Sequence, residues 1–132
     1  LGRWVRNSSF LGDDPIVFLD SPDSSVQDMP STLNGHRPDV FAQSRVSERQ
    51  IIAEAKTPND LDTRRSLVQI ESFLNVVQDH RDCAFLIATR WDHVRYAGST
   101  ISKICDELGF SYAKYGVIDE FGNLVVCSQA GF

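Results

Sequence analysis

The sequence predicts a mixed α/β domain, a central β-sheet flanked by helices. Three observations predict it. The continuous apolar run Cys83 to Thr89 reads as a strand buried on both faces. Two segments on either side of that run carry apolar residues at helical spacings. Short apolar runs bounded by Pro, Gly, Asp and Ser lie before and after them. The 132 residues suit a single domain, 1–132, large enough to bury a core without disulfide or metal staples.

The elements follow in order. Residues Leu1 to Leu11 lack the h-region and cleavage pattern of a signal peptide, and no clear helix is read before Ile16. Ile16 to Leu19, after Pro15, reads as a strand. The rest of residues 12–36 is rich in Ser, Asp, Pro and Gly, and Asp20 to His36 reads as a polar loop. A second strand is expected over Asp39 to Gln43, then a polar turn over Ser44 to Arg49.

Gln50 to Thr57 supports two readings. Ser47 and Gln50 fit a capping box, and Ala-Glu-Ala-Lys are good helix formers. Yet Ile51, Ile52, Ala53 and Ala55 make no clean helical stripe, and eight residues is nearer a strand's length.

Asn59 or Asp60 then caps a helix whose stripe is Leu61, Leu67, Val68, Ile70, Phe73, Leu74 and Val77, running to about His80. After the Cys83 to Thr89 strand, Val94, Ala97, Ile101, Ile104, Cys105 and Leu108 form a second helix, stopped by Gly109. Tyr112 to Ile118 and Leu124 to Ser128 close the chain as a hairpin turning at Glu120 to Asn123.

Composition excludes several classes. A hydrophobic share of 42% rules out a disordered chain, and no apolar run approaches the length of a membrane span. A net charge of −5 argues against a simple polycation that coats nucleic acid. Cys83, Cys105 and Cys127 form no metal-binding spacing and are odd in number, so they read as reduced core or near-core thiols of a cytoplasmic protein. A first residue of Leu rather than Met points to a processed chain or a domain of a larger polypeptide.

The chemistry centres on Asp39, Glu54 and Lys56. If Gln50 to Thr57 is a strand, Glu54 and Lys56 share a face, because side chains alternate. An antiparallel neighbour brings Asp39 beside them. Two carboxylates and a backbone carbonyl make a hard oxygen site suited to Mg²⁺, or Mn²⁺ in its place. Water bound to such a metal is acidic enough to attack near neutral pH, and a nearby Lys orients it or steadies charge growing on a phosphate. A surface salt-bridge cluster is the plainer alternative.

Arg37-Pro38-Asp39-Val40 followed by Ile52-Ala53-Glu54-Ala55-Lys56 resembles the PD-(D/E)xK motif of restriction-endonuclease-like nucleases. The resemblance covers roughly Ile16 to Thr89. It implies a core of a helix, a three-stranded meander, a helix and a further strand, and so favours a strand at Gln50 to Thr57. Pro22-Asp23 is a second such dipeptide, set in a Ser-rich loop with no strand after it.

The resemblance implies a Mg²⁺-dependent deoxyribonuclease. Asp39, Glu54 and the Ala55 carbonyl would bind metal, and Lys56 would assist the attacking water. Some branches place a Gln on the following helix and a Tyr four residues later. Here Gln69 matches, while Phe73 departs from the pattern. Lys56 to Asp60 is similar to the exit that follows the ExK strand in some members.

Many members also carry an acidic residue on a helix before the first strand. The first Glu here is Glu48, which leaves Asp13, Asp14 or Asp20 to substitute, or that helix to lie upstream.

Arg37, Arg45, Arg64 and Arg65 are the expected phosphate contacts, with Arg49 a further one. Residues 37–65 hold six basic against five acidic side chains, so this stretch is less acidic than the rest. Arg90-Trp91-Asp92-His93 reads as packing or as a nucleic-acid contact loop. The expected partner is DNA, with a homodimer or a larger parent chain also open, and no membrane. The alternative function is a non-catalytic module of the same fold that binds nucleic acid or a protein.

Overall fold

The computed structural model describes residues 1–22 and 29–128. The loop expected over Asp20 to His36 is therefore seen only at its ends, and Asp23 of the second Pro-Asp pair lies outside the described residues. The elements are α1 (Gly2–Arg6), β1 (Ile16–Leu19), β2 (Val40–Gln43), β3 (Gln50–Ala55), α2 (Arg64–Asp79), β4 (Cys83–Ala88), α3 (Val94–Leu108), β5 (Lys114–Ile118) and β6 (Leu124–Cys127). Short 3₁₀ turns at Asp60–Asp62 and Trp91–His93 lead into α2 and α3.

The strands form one sheet in chain order, β1-β2-β3-β4-β5-β6. β1, β2 and β3 are an antiparallel meander, and β3, β4 and β5 run parallel. Parallel neighbours need long crossovers, which α2 and α3 supply. β5 and β6 close the sheet as an antiparallel hairpin. The expected mixed sheet flanked by helices is the fold observed.

Alternating side chains divide the core into two layers. Ile52, Phe85, Ile87 and Val117 pack under α2 and α3 against Ile70, Phe73, Leu74, Ala97 and Ile101. Ile51, Ala53, Leu86 and Ile118 face the other way, against Val5 of α1 and Leu11. β3 is thus buried on both faces, which removes the alternation its sequence lacked. Gly109 ends α3 in the left-handed region at φ +71°, as expected of a C-terminal glycine.

The structure corrects several expectations. A short helix, α1, does precede β1; its Trp4 Nε1 donates to Gly122 O at 3.0 Å, and Val5 is fully buried. Gln50–Ala55 is a strand, so the Ser47–Gln50 capping box does not form. α2 starts at Arg64, later than Asn59 or Asp60 suggested, because the Thr63 hydroxyl caps it by accepting from Ser66 N at 3.2 Å. Val68 and Leu108, counted in the apolar stripes, are exposed. Cys83 and Cys105 are buried, but Cys127 on the edge strand β6 is exposed; all three are free thiols. Burial pushes the Cys83 thiol up to about 12. Among the described residues no helix is long and apolar enough to cross a membrane.

Candidate active site

Strand register gathers the site. Leu19 pairs with Val40, and Val40 with Ala53, so the end of β1, the start of β2 and the end of β3 lie side by side. Asp20 N donates to Asp39 O at 2.8 Å just beyond the last pair. Asp39, Glu54, Ala55, Lys56, Gln69 and Asp20 all line one cleft of about 630 Å³ at this sheet edge.

The contacts inside the cleft are specific. Asp39 N donates to Glu54 Oε1 at 3.0 Å, and Ala55 N donates to Asp39 Oδ2 at 2.9 Å. These two bonds lock the carboxylates beside each other. Lys56 Nζ lies 3.5 Å from Glu54 Oε2 and donates to Gln69 Oε1 at 2.5 Å. Gln69 Nε2 reaches back to Glu54 Oε1 at 3.4 Å. Glu54, Lys56 and Gln69 thus form a closed ring of contacts between β3 and α2.

Burial decides the electrostatics. The Glu54 side chain is only 3% exposed. Its pKa is raised from 4.5 to about 7, first by burial and then by the Asp39 charge; Lys56 and the Asp39 N–H work against the rise. One ammonium does not offset two adjacent carboxylates at this depth. Asp60 also lines the cleft, where the Thr57 hydroxyl and N–H hold it below the usual carboxylate range.

The donor set suits a hard divalent cation. No hydrogen bond falls on Asp39 Oδ1 among the described residues. The Ala55 amide points to Asp39, so its carbonyl, on the same side of the strand, also faces the Asp39 side. A cation there would supply the positive charge that buried Glu54 lacks. The described residues hold no group of three or more His, Cys, Asp or Glu side chains arranged for a metal, so any ligand set here needs a backbone oxygen or water.

No family model matches the chain, and no curated protein matches it. Two solved structures are distantly similar. One is an XisH family protein from Nostoc punctiforme PCC 73102, at 12% identity and a TM-score of 0.40, covering 80% of this chain and 86% of that one. The other is an FdxN element excision controlling factor protein from Anabaena variabilis, at 14% identity and a TM-score of 0.39, covering 86% and 88%. Likeness at this level is too distant to assign an activity.

The structure sorts the expected arginines. Arg37 and Arg65 line the cleft, with His36 beside them. Arg64 instead lines the outer groove between α2 and α3. Arg45 sits at the opposite sheet edge, where its Nε donates to Asp14 O at 2.7 Å. Arg49, at the same far edge, lies over the Phe10 ring. Arg45, Arg49 and Arg64 are therefore not brought to the carboxylates.

Phe73 is fully buried against Phe85 and takes no part in the cleft. Of the three candidate substitutes for an upstream acid, only Asp20 reaches it, and α1 carries no acidic residue. Thr63 and Ser66 also line the cleft. Neither carries a sequence signal that points to the cleft, since the expected helix start lay at Asn59 or Asp60.

Proposed function

We propose that this chain is a divalent-metal-dependent nuclease of the restriction-endonuclease-like type, acting on DNA. One observation carries the reading: Asp39, Glu54, Ala55, Lys56 and Gln69 converge in one cleft at a sheet edge. The order α1, antiparallel meander β1–β3, α2 and β4 supports it, being the order the motif resemblance implies. A surface salt-bridge cluster does not account for a Glu that is buried and raised to about 7 beside another carboxylate.

In this reading Asp39, Glu54 and the Ala55 carbonyl would hold Mg²⁺ or Mn²⁺, and Asp20 lines the same cleft. The cation supplies Lewis acidity and an acidified water. Lys56 orients the attacking water through its ammonium and faces the charge that grows on the phosphate. Gln69 holds the Lys56 ammonium in place at 2.5 Å. Arg37 and Arg65 bind flanking phosphates.

The test is cleavage of plasmid, linear duplex and single-stranded DNA with Mg²⁺, with Mn²⁺ and with EDTA. Cutting is expected only with metal. Lys56→Ala and Asp39→Ala are each expected to lower it by more than about a hundredfold, the scale for removing one preorganised charge-stabilising group. Cutting in EDTA, or cutting that survives both substitutions, would overturn the reading. The alternative, a non-catalytic module of this fold, is favoured if the chain binds DNA but cuts none of the three substrates.

A further inference from the structure

The carboxyl ends of β3, β4 and β5 lie along one edge of the sheet. Ala55 pairs with Ala88, and Ala88 with Ile118. Lys56 N donates to Ala88 O at 2.9 Å, which ties the candidate site to the end of β4. Three residues beyond Ala88 stands Trp91, 62% exposed. Three residues beyond Ile118 stands Phe121, 74% exposed. Two uncovered aromatic rings thus follow the site, one per strand, along the same edge.

Trp91 is not loose. Its backbone N–H donates to Glu120 Oε2 at 2.7 Å, which joins the two turns that carry the rings. Arg90 just before it makes a two-pronged pair with Asp92, at 2.6 and 2.8 Å. His93 Nδ1 lies 3.1 Å from Asp92 Oδ1. The turn is therefore fixed by its polar groups while its largest apolar side chain faces solvent. No ring–ring or cation–ring contact falls on Trp91 among the described residues.

We propose that Trp91 is a stacking platform for an unpaired base, and that the substrate of the neighbouring site is therefore single-stranded DNA or a frayed end. This rests on the nuclease reading above. Bases inside a duplex stack on each other and offer no face to an exposed ring, whereas unpaired bases do. Strand spacing and chain reach put Trp91 no more than about 16 Å from Lys56, the length of about five stacked nucleotides at 3.4 Å each. Asp92 and Glu120 are already paired with Arg90 and the Trp91 N–H. Stacking, not phosphate neutralisation, is what this turn offers.

The test measures binding in EDTA, where no cutting occurs. A labelled single-stranded oligonucleotide and its duplex are titrated with wild type, Trp91→Ala and Trp91→Phe, by fluorescence anisotropy at two salt concentrations. Trp91→Ala is expected to weaken single-strand binding roughly five- to a hundredfold at both salts, with duplex binding unchanged and Trp91→Phe close to wild type. Wild type that does not bind the single strand, or a Trp91→Ala chain that binds it equally well, overturns the proposal. So does a Trp91→Ala substitution that splits a dimer and leaves single-strand affinity intact, because the turn is then a protein interface. Failure of the nuclease reading shows separately, as cutting that ignores Lys56→Ala.

Discussion

Replacing Glu54 with Gln is expected to flatten the pH dependence of folding in the metal-free chain. Folding raises this carboxyl from 4.5 to about 7. The folded chain therefore binds the Glu54 proton more tightly than the unfolded chain does. Stability is full below pH 4.5, falls as the pH rises through the window, and stays low above about 7. The gap corresponds to about 3 kcal/mol.

Gln mimics the protonated carboxyl and has no such gap. The ion pair with Lys56, 3.5 Å away, exists only when Glu54 is ionised, and its attraction is already contained in the value of about 7. The variant is thus expected to be close to wild type in stability at pH 4.5 and more stable at pH 8. The difference that opens between the two pH values is about 3 kcal/mol.

Urea unfolding followed by circular dichroism, in EDTA at both pH values, measures it. Titrating groups away from Glu54 cancel between the two proteins. Parallel pH profiles for wild type and variant would refute the claim that Glu54 is held in a charge-deficient site.

Three further predictions follow from single contacts. Gln69→Ala is expected to slow single-turnover cleavage about tenfold, since it removes one hydrogen bond to a charged group, and to leave metal affinity within about twofold of wild type. Arg65→Ala is expected to weaken DNA binding and lower the salt slope by about one, while Arg45→Ala, at the far edge, changes neither. A Cβ at Gly98 would lie 2.9 Å from Val126 Cγ1, and Val is stiff. Gly98→Ala is expected to lose about 1 kcal/mol in urea unfolding, because overpacking exceeds the gain in helix propensity.

Much of the fold was legible in the sequence because its signals are local. The Cys83 to Thr89 run, the two apolar stripes and Gly109 each encode their element within a few residues. The other elements depend on partners far away. β3 lacks alternation because β2 and β4 cover both its edges while α1 and α2 cover its faces, and only the motif resemblance broke that tie. α1 has five residues and no side-chain cap; Val5 burial and the Trp4–Gly122 bond hold it. The carboxylate pair and Lys56 were legible because motif spacing and strand alternation fix them.

The arginines were legible only in part: Arg37 and Arg65 line the cleft, and Arg45, Arg49 and Arg64 do not. Arg64 and Arg65 are adjacent on a helix, where successive residues diverge by about 100°, so only one of them faces the cleft. Arg45 lies in the β2–β3 turn, and an antiparallel hairpin sends its turn to the edge opposite its open ends. Asp20 reached the site through the pairing of β1 with β2, which spacing alone does not specify.

The most direct test is Mn²⁺ anomalous diffraction from soaked crystals. A single peak is expected at about 2.0–2.3 Å from a carboxylate oxygen of Asp39, one of Glu54 and the Ala55 carbonyl, and it should vanish in Glu54→Ala. A peak elsewhere, or none at saturating Mn²⁺ with both carboxylates ordered, would contradict the account.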